Sequence, residues 1–288
     1  MKSLNNSYQL SDTSERYNSD QSFPLIVIST EKCDAVISLY GGQVLEFTAK
    51  NKPPLLWLSP SVSFQEGRAI RGGIPVCAPW FGKHASFPLN HGFARTSYWK
   101  QHTILENSTG ELVVTLTLEE NELSKKYQYF NFTMTLVITL SDSLSVSFDY
   151  ENNSQDAQTC EWAFHSYLAV NNCHETTVTG LEDLKYHDKT IDNQLCTLRG
   201  AQTFSGEIDR CFVDGSSMQK ITNEHQTYVA GKNCDSVIVW SPGQQLASNM
   251  SDISEYEKFV CVERGAVFEK QWAIAPQKSQ SAIMTLSN

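Results

Sequence analysis

The chain contains no apolar run of the ~18 residues that a membrane-spanning helix needs, which excludes that class. Its first 22 residues, MKSLNNSYQLSDTSERYNSDQS, are polar and lack the apolar segment of a secretion signal, so a cytoplasmic protein is expected. Basic residues are in deficit. The 22 Lys and Arg face 32 Asp and Glu, giving a net charge of −10, and this argues against nucleic acid or a membrane surface as partner. The eight cysteines contain no Cys-x-x-Cys pair and read as reduced, mostly buried thiols. The seven histidines and the cysteines show no ligand spacing, so no metal is expected. Without a Walker loop or a GxSxG elbow, P-loop and serine-hydrolase chemistry are disfavoured, and no cofactor is expected.

Helical signal is also scarce. Only 252–258, DISEYEK, has a plausible cap in Ser251 or Asp252 and predicts a short helix. Strand signal is abundant instead. FPLIVIST (23–30), AVISLYGG (35–42), QVLEFTA (43–49), LVVTLTLEE (112–120), YFNFTMTLVITL (129–140) and SLSVSFDYEN (143–152) are rich in β-branched and aromatic residues. So are WAFHSYLAV (162–170), SVIVW (236–240), KFVCVE (258–263) and SAIMTL (281–286). Ser and Thr alternate with apolar residues in several of these, as in antiparallel strands with one wetter face. There is no strand–helix alternation and no blade-length repeat. The expected fold is all-β: one large antiparallel β-sandwich over 23–288 with few short helices. Residues 1–22 read as a flexible or loosely docked tail, and a monomer is expected.

Residues 71–95, RGGIPVCAPWFGKHASFPLNHGFAR, are the most distinctive stretch. Arg71 and Arg95 bracket it. Between them lie turn residues, the aromatics Trp80 and Phe81, and an Asn90-His91-Gly92 turn. Planar guanidinium forks suit phosphate or carboxylate, and aromatics suit the apolar face of a ring. A turn-rich surface loop with two solvated arginines has the same composition.

Two strands carry titratable groups. In WAFHSYLAV, alternation puts His165, Tyr167 and Ala169 on one face. In KFVCVE, Phe259, Cys261 and Glu263 share a face. Each admits a plain reading, His165 as a satisfied core histidine and Glu263 as a solvated strand end, and a functional one. Asp209 and Arg210 form a neighbouring pair in a segment that reads as strand or loop.

Taken together, these residues resemble the aldose 1-epimerase superfamily and, within it, the hexose-6-phosphate mutarotases (glucose-6-phosphate 1-epimerases). The matching pieces are LYGGQVLEF (39–47), LLWLSP (55–60), RGGIPVCAPWFG (71–82), HGFAR (91–95), FHSYLAV (164–170), IDR (208–210), VIVWSP (237–242), NMSD (249–252) and FVCVERG (259–265). The resemblance implies a galactose mutarotase-like supersandwich, with His165 and Glu263 as the catalytic pair. It places substrate contacts on Arg71, Asn90, Arg95 and Asp209, with His91 near the sugar. Position 90 is usually glutamine in such proteins. The loop after Trp240 usually carries a lysine where this chain has Leu246, and an aromatic where it has Gly243.

The implied reaction interconverts the α and β anomers of a hexose 6-phosphate by general acid–base catalysis, with an ionised Glu263 as base and a protonated His165 as acid. The expected partner is a small sugar phosphate. Two other readings stay open: a mutarotase for another aldose, phosphorylated or not, and a non-catalytic carbohydrate-binding sandwich.

Overall fold

The computed structural model describes residues 7–215 and 218–288. Alternation builds most of it. In Leu112–Glu119, Phe132–Leu140 and Leu144–Asn152, each apolar residue on one face is buried and the intervening residues are partly exposed. β-Branched side chains suit this half-buried pleat. These strands lie in a nine-stranded antiparallel sheet. Its order is Gln202–Thr203, Thr177–Thr179, Gln219–Thr222, Gln226–Lys232, Lys278–Ser287, Leu144–Asn152, Phe132–Leu140, Leu112–Glu119 and Lys100–Glu106.

An eight-stranded sheet covers it. The path runs Gln194–Thr197, Lys185–Asp188, Ile208–Phe212, Ser236–Ser241, Phe259–Ala266, Trp162–Phe164 and Val76–Cys77, with Tyr167–Ala169 also paired to Phe259–Ala266. The two sheets meet in one core, where the Phe148 ring lies 5.0 Å from that of Trp162 and 6.4 Å from that of Phe164. Burying each such Val, Leu or Phe contributes about 1.5–3 kcal/mol. A four-stranded sheet of Tyr8–Asp12, Pro24–Ser29, Cys33–Ser38 and Gln43–Ala49 completes the principal layers. The architecture is the antiparallel β-sandwich expected. Among the described residues the α-helices are short, and no helix is long and apolar enough to cross a membrane.

The eight-stranded sheet positions the site because its two faces differ. Val237, Val239, Val260 and Val262 point into the core, while Ile238, Trp240, Cys261 and Glu263 occupy the other face. Pairing sets two rows across that second face. Cys211, Ile238 and Glu263 form one; Asp209, Trp240, Cys261 and Tyr167 form the next. The strand continues through Arg264 to Ala266, so Arg264 faces away from Glu263 and donates from Nη1 to the Gly215 carbonyl.

Three local expectations need correction. The described part of 1–22 is not a flexible tail. Tyr8–Asp12 pairs with Pro24–Ser29, Asp12 caps the helix Thr13–Tyr17, and the Tyr17 hydroxyl donates to Glu46 at 2.6 Å. An edge strand exposed on both faces keeps a polar composition, so its sequence resembles a tail. The helix expected over 252–258 is only a 3₁₀ turn at Tyr256–Lys258, and Asp252 serves Arg71 rather than a helix cap. The strand expected over 162–170 breaks in the middle. The His165 amide leaves the ladder for the Pro75 carbonyl, and that of Tyr167 goes to Gly73.

Candidate active site

Alternation survives that break: Phe164 and Leu168 enter the core, and His165 and Tyr167 share the outer face. The His165 imidazole stacks on Tyr167, with centroids 4.8 Å apart and planes within 9°. His165 Nδ1 lies 3.4 Å from Glu263 Oε1, and the Glu263 side chain is only 1% exposed. Glu263 is therefore not a solvated strand end. Neither Glu263 Oε2 nor His165 Nδ1 hydrogen-bonds any described protein group. An unsatisfied buried polar atom costs about 1–3 kcal/mol, so atoms of this kind facing a cleft are available to a ligand or to water.

Both groups line a cavity of about 240 Å³ that also reaches Arg71, Asn90, His91, Arg95 and Asp209. All seven residues singled out from the sequence thus converge on one cleft. Arg71 donates from Nε to Asp252 at 3.0 Å and from Nη1 to the Tyr167 hydroxyl at 2.9 Å. Arg95 donates from Nη2 to the Asn90 carbonyl at 2.9 Å. Its Nε is buried and meets no described partner. Asn90 thus braces Arg95 through its backbone.

His91 adopts φ of 63°, an uncommon conformation for a non-glycine residue that tends to mark functional sites. Its amide donates to the Gly82 carbonyl at 2.8 Å, and the Gly82 amide donates back to His91 Nδ1 at 3.3 Å. A neutral His91 therefore carries its proton on Nε2. Gly92 must be glycine, because a Cβ there would sit 1.8 Å from the Ala78 carbonyl oxygen.

Lys189 was missed by sequence reasoning. Its Nζ lies 3.2 Å from Asp209 and 5.0 Å from the centre of the Phe81 ring, a cation–π distance. It lines the same cleft. Lys189 opens a 3₁₀ turn after the strand Lys185–Asp188, which pairs with the strand carrying Asp209. Only that pairing reveals it. Leu246 and Gly243 lie on the helix Gly243–Ala247, and neither lines this cleft. Gly243 has φ of 60° with the Glu207 amide 2.6 Å from where a Cβ would stand, so an aromatic does not fit here.

Burial sets the charges. It pushes His165 well below the usual imidazole range, and Arg95, Arg71 and Lys189 add to the effect. It pushes Glu263 well above the usual carboxylate range, with Asp209 adding and Lys189 and Arg95 opposing. His91 is held low by burial and then by Arg95 and His165. Burial opposes the Arg71 charge, but Tyr167 and Asp252 more than offset it. Burial thus works against the ionised-glutamate, protonated-histidine state expected from residue type. The proton count of the pair is unchanged, since a neutral imidazole with a carboxylic acid holds one proton, as does the ion pair. Cys261 shares the Glu263 face, but burial holds its thiol well above the usual range, so it is no thiolate nucleophile.

The aldose 1-epimerase family pattern matches residues 24–287. An Escherichia coli K12 protein, provisionally named a glucose-6-phosphate 1-epimerase, is 31% identical over 276 residues, covering 91% of this chain and 90% of its own. A Cenchrus ciliaris protein with the same provisional name is 30% identical over 281 residues, covering 91% and 84%. The crystal structure of a Salmonella typhimurium protein, provisionally described as a mutarotase, matches with a TM-score of 0.85 at 28% identity. It covers 92% of this chain and 90% of that one. The fold is thus the mutarotase-like sandwich.

Proposed function

The chain belongs to the aldose 1-epimerase family, and we propose that it interconverts the α and β anomers of a hexose 6-phosphate, with glucose 6-phosphate as the preferred sugar. The observation that carries this reading is the approach of His165 Nδ1 to Glu263 Oε1 at 3.4 Å on the floor of a cleft whose rim holds Arg71 and Arg95. The provisional names of the relatives point to the same substrate.

Mutarotation opens a cyclic hemiacetal and recloses it on the other face of C1. The O1–H proton leaves while ring O5 gains a proton, and the C1–O5 bond breaks to give the open aldehyde. Rotation about C1–C2 and the reverse steps give the other anomer. A pair that holds one proton between two sites performs this directly: one member accepts from O1 as the other gives to O5, and the roles reverse on closure. The pair thereby passes between its neutral form and an imidazolium–carboxylate form, whose opposite charges lie 3.4 Å apart and offset each other.

The remaining residues position the sugar. Asp209, held by Lys189, accepts from sugar hydroxyls, and His91 donates from Nε2. Arg71 and Arg95 receive the 6-phosphate; each charge-assisted hydrogen bond contributes about 1.5–3 kcal/mol. This explains how a chain of net charge −10 holds an anion. The binding-module alternative leaves the buried His165–Glu263 pair without a purpose. The test is catalysis of anomer exchange in glucose 6-phosphate against free glucose.

A further inference from the structure

Beyond the catalytic cleft lies a second, larger cavity of about 460 Å³. The two share Arg71, Arg95 and Met250, so these side chains stand between them. Arg68 also lines the outer cavity, and among the described residues no carboxylate or carbonyl meets its guanidinium. Hydroxyls of Ser61, Ser63 and Thr96 complete a concave surface with three guanidiniums and the single carboxylate of Asp252. That chemistry suits a compact dianion.

Arg71 also connects the two cavities. Its Nε is engaged by Asp252 and its Nη1 by the Tyr167 hydroxyl, 3.0 and 2.9 Å away. The Tyr167 ring, which borders the outer cavity, lies flat against the His165 imidazole at 4.8 Å. A dianion entering from outside competes with Asp252 for Arg71 and so acts on the group that holds Tyr167. It also changes the charge around His165. That imidazole is surrounded by the cations Arg71, Arg95 and Lys189, by the carboxyl of Glu263, and by His91 across the cleft. Offsetting two of three cations in a poorly screened site makes it easier for His165 to take up a proton.

We propose that the outer cavity is a dianion site that switches on proton transfer in the inner one, with Arg71 and Tyr167 as its connection to His165. The dianion is the phosphate of the substrate itself, so phosphate contributes to turnover and not only to affinity. Tyr167 is a positioning residue in this scheme, and Arg68 a third ligand of the dianion. The inference rests on the mutarotase reading of the inner cleft.

The test separates the phosphate from the sugar. Anomer exchange of unphosphorylated glucose is measured with and without added phosphite dianion, on the wild-type protein and on Tyr167→Phe, which keeps the stacked ring but removes the acceptor for Arg71. The expected result is saturable activation of glucose turnover by about tenfold or more, a fraction of what positioned proton transfer supplies. The fold-activation shrinks in Tyr167→Phe. With glucose 6-phosphate, Tyr167→Phe lowers kcat per folded molecule more than it raises KM, whereas a loss of folded fraction alone leaves both kcat per folded molecule and the fold-activation by phosphite unchanged. Arg68→Ala is the second variant, expected to raise the half-saturating phosphite concentration with the maximal activation retained. Phosphite that fails to accelerate glucose exchange, in a preparation that turns over glucose 6-phosphate, overturns the inference and leaves the mutarotase reading intact. Equal activation in wild type and Tyr167→Phe removes Tyr167 from the connection. A preparation that accelerates neither sugar overturns the reading beneath it.

Discussion

His165 Nδ1 and Glu263 Oε1 stand 3.4 Å apart although 97 residues separate them in the chain, brought together by the pairing of Trp162–Phe164 and Tyr167–Ala169 with the same central strand, Phe259–Ala266. The chemistry follows from that proximity and from the dryness around it. Burial disfavours the charged form of each group.

Replacing either partner therefore removes proton transfer rather than binding. His165→Ala and Glu263→Gln are each expected to lower kcat for anomer exchange by about 10²–10⁴-fold, with a small change in KM. Exchange spectroscopy on glucose 6-phosphate reads both parameters. A loss confined to KM would contradict the assignment.

Arginine variants act first on affinity, and at Arg71 on turnover as well. Arg95→Ala is expected to raise KM for the sugar phosphate by roughly 10–150-fold, the effect of losing about 1.5–3 kcal/mol. Arg71→Ala raises it as well and also strands Asp252, so Arg71→Ala/Asp252→Asn recovers part of the lost affinity. An unchanged KM in Arg95→Ala would remove the phosphate from this rim.

The pH profile of kcat/KM should be a bell. Its acidic limb marks the second proton entering the pair, and its alkaline limb marks the last one leaving. Burial and the three nearby cations lower His165, so the acidic limb lies below the ordinary histidine range. Burial and Asp209 raise Glu263, so the alkaline limb lies above the ordinary carboxylate range. Lys189 opposes protonation of both groups, and Lys189→Met is expected to move both limbs to higher pH. An acidic limb at or above the ordinary histidine range, or limbs that stay in place in Lys189→Met, would contradict a proton-sharing pair.

Function here costs stability, and the sign is fixed by linkage. A carboxyl raised by burial binds its proton more tightly folded than unfolded, so stability is full below the unfolded value of about 4.3. It declines as pH rises toward the folded value. Glu263→Gln abolishes that decline. Near neutral pH it is expected to raise the thermal midpoint by a few degrees, about what 1–2 kcal/mol produces in a domain this size. Thermal melts of both proteins from pH 4 to 8 show whether the gap widens with pH, as required.

Much of this was legible in the sequence, for identifiable reasons. Strands with one buried and one wet face, such as Phe132–Leu140, carry the period of two in their residues. The polar edge strands Gln194–Thr197 and Lys100–Glu106 carry little of it, because an edge strand with solvent on it needs little apolar face. Arg71, His165 and Glu263 were legible because a charged or titratable group beside an apolar run demands a partner. Lys189 was not, since a lysine after an aspartate looks like any surface turn until its strand pairs with the one bearing Asp209. The depth at which His165 and Glu263 are buried was not legible either. It depends on strands distant in the chain, and residue type alone suggests the ordinary solution charges.

The most direct measurement is two-dimensional NMR exchange between the α and β anomers of glucose 6-phosphate with catalytic amounts of protein, beside free glucose and beside Glu263→Gln. The account predicts accelerated exchange of the phosphate, much weaker acceleration of glucose, and loss of both in the variant. Unaccelerated exchange of glucose 6-phosphate by the folded wild-type protein, or acceleration that survives in Glu263→Gln, would contradict it.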